Sequence, residues 1–193
     1  MLRKAALFLL IAGLPLAACA KKPPAPVTLP PPPAQPDTAE QRRQQERAAA
    51  EAAAAERARA EAAAREATAR ATSVLQEMVF FDYDVSDLRP DAEASLGRKV
   101  PILRANPGIT LRVTGHADER GSLEYNLALG MRRAQSVKDY LAGFGIDAAR
   151  VQIDSLGEDQ PLEQGSTEAA WARNRRAEFG ITAGGDVITN PGS

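Results

Sequence analysis

The chain has 193 residues, with 24 Lys+Arg against 25 Asp+Glu and a single His, Cys and Trp. Near-zero net charge excludes the broad basic surface of a nucleic-acid binder, and one Cys with one His cannot build a His/Cys zinc site or an internal disulfide. A Ser-His-Asp or Cys-His enzyme would have to use that one His, which sets most hydrolase chemistry aside. All but one of the 5 Phe, and every Tyr and Trp, lie beyond Val79, so the sizeable core belongs to the C-terminal part.

The chain opens MLRKAALFLLIAGLPLAACA. Arg3 and Lys4 precede an apolar run broken by Gly13 and Pro15, too short for a transmembrane helix and proportioned like a secretory signal peptide. Its end, Leu16-Ala17-Ala18-Cys19, resembles the bacterial lipobox, in which small residues admit the signal peptidase and the Cys thiol takes a diacylglycerol. We therefore expect a signal peptide over 1–18 and a lipidated Cys19 as the first mature residue. Several acyl chains exceed the two-signal threshold for stable anchoring, at ~0.8 kcal/mol per buried methylene. Ala20 follows, not the Asp that retains lipoproteins in the inner membrane of enteric bacteria. That resemblance implies an outer-membrane anchor with the rest of the chain in the periplasm.

Residues 19–36 form a linker with eight prolines in the fourteen positions 23–36, a composition that favours polyproline II and a reach of ~40 Å at ~3.1 Å per residue. Residues 37–73 are Ala, Glu, Arg and Gln without an aromatic, and Arg47/Glu51, Glu61/Arg65 and Glu66/Arg70 stand four apart. This predicts a helical spacer with Asp37 or Thr38 as N-cap. Glutamates recur every five residues from Glu46 to Glu66, advancing ~140° per step, so the charges spiral and leave no coiled-coil seam. The pattern reads as a solvated helix of ~55 Å; a partner-binding or trimerising helix is the alternative reading.

Residues 74–185 have a different texture. A strand at Met78–Phe81 is followed by a helix from Asp91 that the Asn106-Pro107-Gly108 stop ends. Alternation of Ile109, Leu111 and Val113 with polar residues predicts a half-buried strand, and a long helix spans about 123–144. A strand at 151–156, a short helix at 167–173, a last strand at 177–182 and a loose tail at 186–193 complete the chain. The order β-α-β-α-β-(α)-β predicts an α+β fold, a two-layer α/β sandwich with helices on one face of a mixed sheet.

The densest polar cluster, Thr114-Gly115-His116-Ala117-Asp118-Glu119-Arg120-Gly121-Ser122, lies where a strand ends and a helix begins. Arg132 and Arg133 follow on that helix. An acid and a guanidinium meeting across such a loop suit a ligand bearing both an ammonium and a carboxylate; an internal Asp–Arg salt bridge is the other reading. His116 reads as a loop hydrogen-bonder, Arg132 as a solvated neighbour of Arg133, and Trp171 as a core lid.

The run GHADERGSLEYNLALGMRRAQSVKDYL, with VFFDYD before it and NRRAEF after it, closely resembles the OmpA-like peptidoglycan-binding domain family. The DERGS-EYN form of the loop resembles the lipoprotein branch of that family, which serves the Tol–Pal system of cell division and envelope integrity. The resemblance implies that Asp118 engages the ammonium of meso-diaminopimelate in the peptidoglycan stem peptide and that Arg133 holds its carboxylate. It further implies that Tyr83, Asp84, Arg120 and Leu129 line the groove, while Asn126, Asn174 and Arg175 brace loops and cap helices. Tyr83 has a plainer alternative, closing the edge of the core. Implied partners are peptidoglycan, the outer membrane through Cys19 and the periplasmic propeller protein of the Tol system; no cofactor and no metal are implied. Two other functions stand beside this one: a wall-binding lipoprotein without a Tol partner, and a hydrolase using Asp84, Asp118 or Glu119, which lacks a nucleophile and a zinc set. A flagellar-stator relative would need a membrane-spanning helix that the sequence does not provide.

Overall fold

A computed structural model describes residues 38–191. The signal peptide, Cys19 and the Pro-rich linker lie outside the described residues. The chain forms two units divided between Glu46 and Arg47. In the first, the described residues are helical and exposed, the N-terminal turns of α1 (Thr38–Gln76). No helix among the described residues is long and apolar enough to cross a membrane.

The second unit carries the rest of α1, β1 (Val79–Phe80), α2 (Pro90–Ala105), β2 (Thr110–His116), α3 (Leu123–Gly143), β3 (Val151–Gly157), α4 (Glu168–Asn174) and β4 (Arg176–Ala183). The sheet order is β1-β4-β2-β3, with β4 antiparallel to both β1 and β2, and β2 parallel to β3. The mixed α+β architecture expected from the sequence is the one observed. In β2, Leu111, Val113 and Gly115 are buried while Arg112 is exposed, so one face of the sheet carries the core. Leu96, Val100 and Leu103 of α2 and Ala134, Val137 and Leu141 of α3 fill that core with Phe81 and Ile109.

Two ends differ from the expectation. The spacer helix does not stop at Ser73: it runs to Gln76, and Ala71 and Leu75 on its last turns are core residues. Lys99, fully buried on α2, secures that end by donating from Nζ to the carbonyls of Val74 (2.5 Å), Leu75 (3.1 Å) and Glu77 (2.7 Å). Val74 and Leu75 are among the last carbonyls of α1, which the close of a helix leaves short of donors, and Glu77 follows the helix end. Its ammonium lies 4.4 Å from the centroid of the Phe179 ring, and burial pulls its pKa down to about 7. The C-terminal tail is docked as well. Ile188 is buried, and Thr189 N–H and carbonyl pair with the side chain of Asn106.

The sheet meets α3 through glycine. A Cβ on Gly115 would stand 1.8 Å from the carbonyl oxygen of Gly130. Ser155 Oγ donates to the Leu127 carbonyl at 2.7 Å, stitching β3 to the same stretch of α3. This close approach brings the N-terminal half of α3 against the C-terminal end of β2.

Candidate functional site

β2 ends in a bulge, where Gly115 pairs with Ser155 but His116 with Gly157, and the chain turns into the 117–122 loop. Gly121, at φ +115, makes the last turn of that loop, and Ser122 caps α3 by accepting from Tyr125 N–H at 3.2 Å. Asn126 braces the loop from inside, donating to the carbonyls of Asp118 (3.1 Å) and Arg120 (3.2 Å) and to Glu158. Asn174 does the same for a neighbouring loop, exchanging hydrogen bonds with the backbone of Glu163.

Beside this loop lies a cavity of about 100 Å³, lined by Tyr83, Asp84, Asp118, Arg120, Leu129 and Arg133 together with Gly121, Tyr125 and Asn126. The six groove residues implied by the resemblance thus come together from three segments of chain.

Asp118 is buried and doubly paired. Arg120 grips it side-on, Nε to Oδ1 at 2.9 Å and Nη2 to Oδ2 at 2.7 Å, and Arg175 Nη1 reaches Oδ2 at 3.3 Å. Burial pushes its pKa up, but the bonds from Arg120 and Arg175 outweigh this and hold the carboxyl below its usual range. An internal Asp–Arg salt bridge therefore exists, with Arg120 and Arg175 as partners and not with Arg132 or Arg133. Arg175, expected to brace loops, touches the acid itself; its Nε also donates to the Phe81 carbonyl at 3.1 Å and its Nη2 to Glu168 at 2.8 Å.

Arg133 is fully buried and donates to three carbonyls: Val85 at 2.9 Å, His116 at 2.7 Å and Asp82 at 3.0 Å. A guanidinium has five N–H groups, of which these bonds use three, and Arg133 lines the cavity. Burial and the nearby Arg175 charge lower its pKa to about 10, leaving it charged at neutral pH. Asp84, at φ +55, sits in the left-handed region that a short polar side chain tolerates, and Tyr125 Oη donates to its carboxylate.

Two readings from the sequence change, those of Trp171 and His116. Trp171 is no core lid: it lies at the rim, its Nε1 donating to Glu119 at 3.0 Å, and its ring faces the Arg120 guanidinium at 4.0 Å from the centroid. Tyr83 covers that guanidinium as well, also at 4.0 Å. Arg132 is exposed, the solvated neighbour of Arg133 that the sequence suggests, 5.6 Å from the Tyr125 ring centroid. His116 makes no side-chain hydrogen bond. Both ring nitrogens are buried without a partner, and Nε2 stands 3.9 Å from Glu178 Oε1.

Burial and the Arg176 charge drive the His116 pKa down to about 4, against the smaller opposite pull of Glu178. Between the ordinary value of 6.5 and about 4 the unfolded chain binds a proton that the folded one refuses. Stability should therefore fall as pH drops through this window and level off below it, by up to about 3 kcal/mol from this group. Asp118, whose pKa is lowered, loses its contribution only at more acidic pH, so the two windows separate. Denaturation midpoints from pH 7 to 4 check this, with His116→Gln expected to flatten the slope.

Tyr125, Trp171, Arg175 and Glu168 are the site residues that sequence reasoning did not place. Tyr125 and Arg175 stood inside the EYN and NRRAEF motifs, where a signal was present; nothing in the sequence near Trp171 or Glu168 marked them.

Residues 80–175 match the OmpA family. The peptidoglycan-associated lipoprotein of Agrobacterium fabrum is 43% identical over 101 residues, 52% of this chain and 57% of that protein. The one from Pseudomonas putida is 44% identical over 100 residues, covering 52% and 60%. The matched region thus spans less than two thirds of these relatives. The crystal structure of the peptidoglycan-associated lipoprotein from Burkholderia pseudomallei superposes with TM-score 0.54 at 36% identity, covering 55% of this chain and 91% of that one. With that coverage, and with its motifs on one cleft, the chain belongs to the OmpA family.

Proposed function

We propose that the chain is an outer-membrane lipoprotein, anchored through Cys19, whose second unit binds peptidoglycan non-covalently at the diaminopimelate of the stem peptide. The observation that carries this reading is the pairing of charges in one small cavity. An ionised, buried carboxylate, Asp118, and a buried guanidinium, Arg133, line the same small space. A ligand end bearing an ammonium and a carboxylate satisfies both, and the hydrogen bonds from Arg120 and Arg175 make the carboxylate a poor general base. The protein is a reversible tether and not an enzyme. The relatives' name, peptidoglycan-associated lipoprotein, and the lipobox support the same reading. The loop's DERGS-EYN form extends it to the Tol system, with the periplasmic propeller protein as a partner of this domain.

The test is co-sedimentation of the full chain with diaminopimelate-type and lysine-type peptidoglycan, beside Asp118→Asn. Asn keeps the shape and one acceptor but removes the charge, so binding to the diaminopimelate wall should weaken by about 10–100-fold while the fold survives. Equal binding by a folded Asp118→Asn variant would overturn the site.

A further inference from the structure

Asp118 has two guanidinium partners of unequal standing. Arg175 is buried and tied on three sides, to Asp118, to the Phe81 carbonyl and to Glu168. Arg120 stands at the cavity mouth, its side chain 29% exposed, and holds Asp118 with two parallel N–H groups while Tyr83 and Trp171 sandwich it. The carboxylate is thus already occupied, on its open side, by a cation of the chain's own. We infer that Arg120 is a resident stand-in for the ligand's ammonium, a specificity gate that must leave Asp118 before a ligand binds, whereas Arg175 stays to keep the acid oriented. This rests on the proposed binding of an ammonium-bearing peptide.

The geometry provides for the exchange. Besides Asp118, the guanidinium is held, among the described residues, only by the two ring faces and by Glu168, itself exposed, which is 3.8 Å from Nη1 and offers the departing guanidinium a second carboxylate. Because Arg175 remains, the acid stays ionised throughout. A ligand must then bring a full positive charge to displace the arginine; a neutral peptide, or one whose ammonium is already acylated, cannot. Arg120 therefore raises the threshold for every ligand, and most for the wrong ones. This departs from the role that the resemblance implies for Arg120, a direct contact in the groove.

Trp171 is the only tryptophan in the chain and stacks on the gate, so its fluorescence reports the exchange. The experiment titrates the tripeptide ending in meso-diaminopimelate into the full chain, following emission and, separately, heat. Arg120→Met keeps the length and removes the charge. In the wild type, emission should change in step with binding. In Arg120→Met the peptide should bind about tenfold more tightly, since no competitor is displaced, with emission unmoved. A peptide acylated on the side-chain ammonium of its diaminopimelate should gain relatively more. Weaker binding by Arg120→Met, or wild-type heat without an emission change, would make Arg120 a direct contact and overturn the gate. No heat with either protein would instead remove the peptide-binding reading itself, and the gate with it.

Discussion

Replacing Arg133 by methionine should destabilise the domain by about 3 kcal/mol, well beyond what loss of a ligand contact would do. Arg133 ties three carbonyls on two segments: Asp82 and Val85 in the turn after β1, and His116 at the end of β2. It also packs 5.2 Å from the centroid of the Phe81 ring. Methionine fills much of the same space but leaves these carbonyls short of donors in the interior. The loss is less than three charged bonds because the variant also escapes the burial penalty that already lowers the pKa of Arg133. Arg133→Lys keeps the charge but cannot span three acceptors with one nitrogen, so it should fall between the two. For a domain of this size the methionine variant should melt on the order of 15 °C lower. An unchanged melting temperature would mean that Arg133 serves the ligand alone.

That prediction marks where the sequence stopped being readable. The strands and helices were legible because their signals are local: alternation at 109–113, the Asn106-Pro107-Gly108 stop, and the apolar stripe of α3. Buried charge is not local. Arg133 falls on the stripe of Leu129, Val137 and Leu141, yet periodicity treats an arginine as a surface residue. Lys99, Arg175 and Arg176 were hidden in the same way, since what admits each to the interior is a set of acceptors more than fifteen residues away or in a neighbouring turn. The Ala-rich spacer hid its own end for the opposite reason. Ala71 and Leu75 give no seam long enough to stand out, although the domain closes over both.

The site shows a division of labour that spacing alone could not assign. Asp118 and Arg133 are both buried and both preorganised, but by different means. The acid is held mainly by other side chains, Arg120 and Arg175, with one backbone N–H from Arg120 at 3.2 Å, and the arginine by backbone carbonyls. Side chains can exchange partners and backbone cannot. On the proposed reading, the acid's end of the cavity is where ligand and protein compete, and the guanidinium's end is where the ligand meets a fixed surface.

The other large effect should come from a single methyl group. Gly115→Ala places a Cβ 1.8 Å from the carbonyl oxygen of Gly130 and 2.6 Å from its carbon, and both are backbone atoms of α3 that no rotamer change can move. The helix must lift from the sheet, at a cost of about 3 kcal/mol or more. Gly130→Ala meets the same surface from the other side, 2.3 Å from Ser155 Oγ and 2.7 Å from the Gly115 carbonyl oxygen, so Ser155→Ala should relieve it only in part. Gly143→Ala is the internal control. It makes the same change at the far end of the same helix, where a Cβ meets nothing within 4 Å, and it should be neutral or stabilise by up to about 1 kcal/mol. Because α3 carries Leu129 and Arg133 into the cavity, lifting it also pulls Arg133 from the His116 carbonyl. Gly115→Ala should thus lose peptidoglycan binding at temperatures where most molecules remain folded, and Gly143→Ala should not. Chemical denaturation and co-sedimentation on the same samples separate the two effects; equal stability of Gly115→Ala and Gly143→Ala would show that the helix does not bear on the sheet at this point.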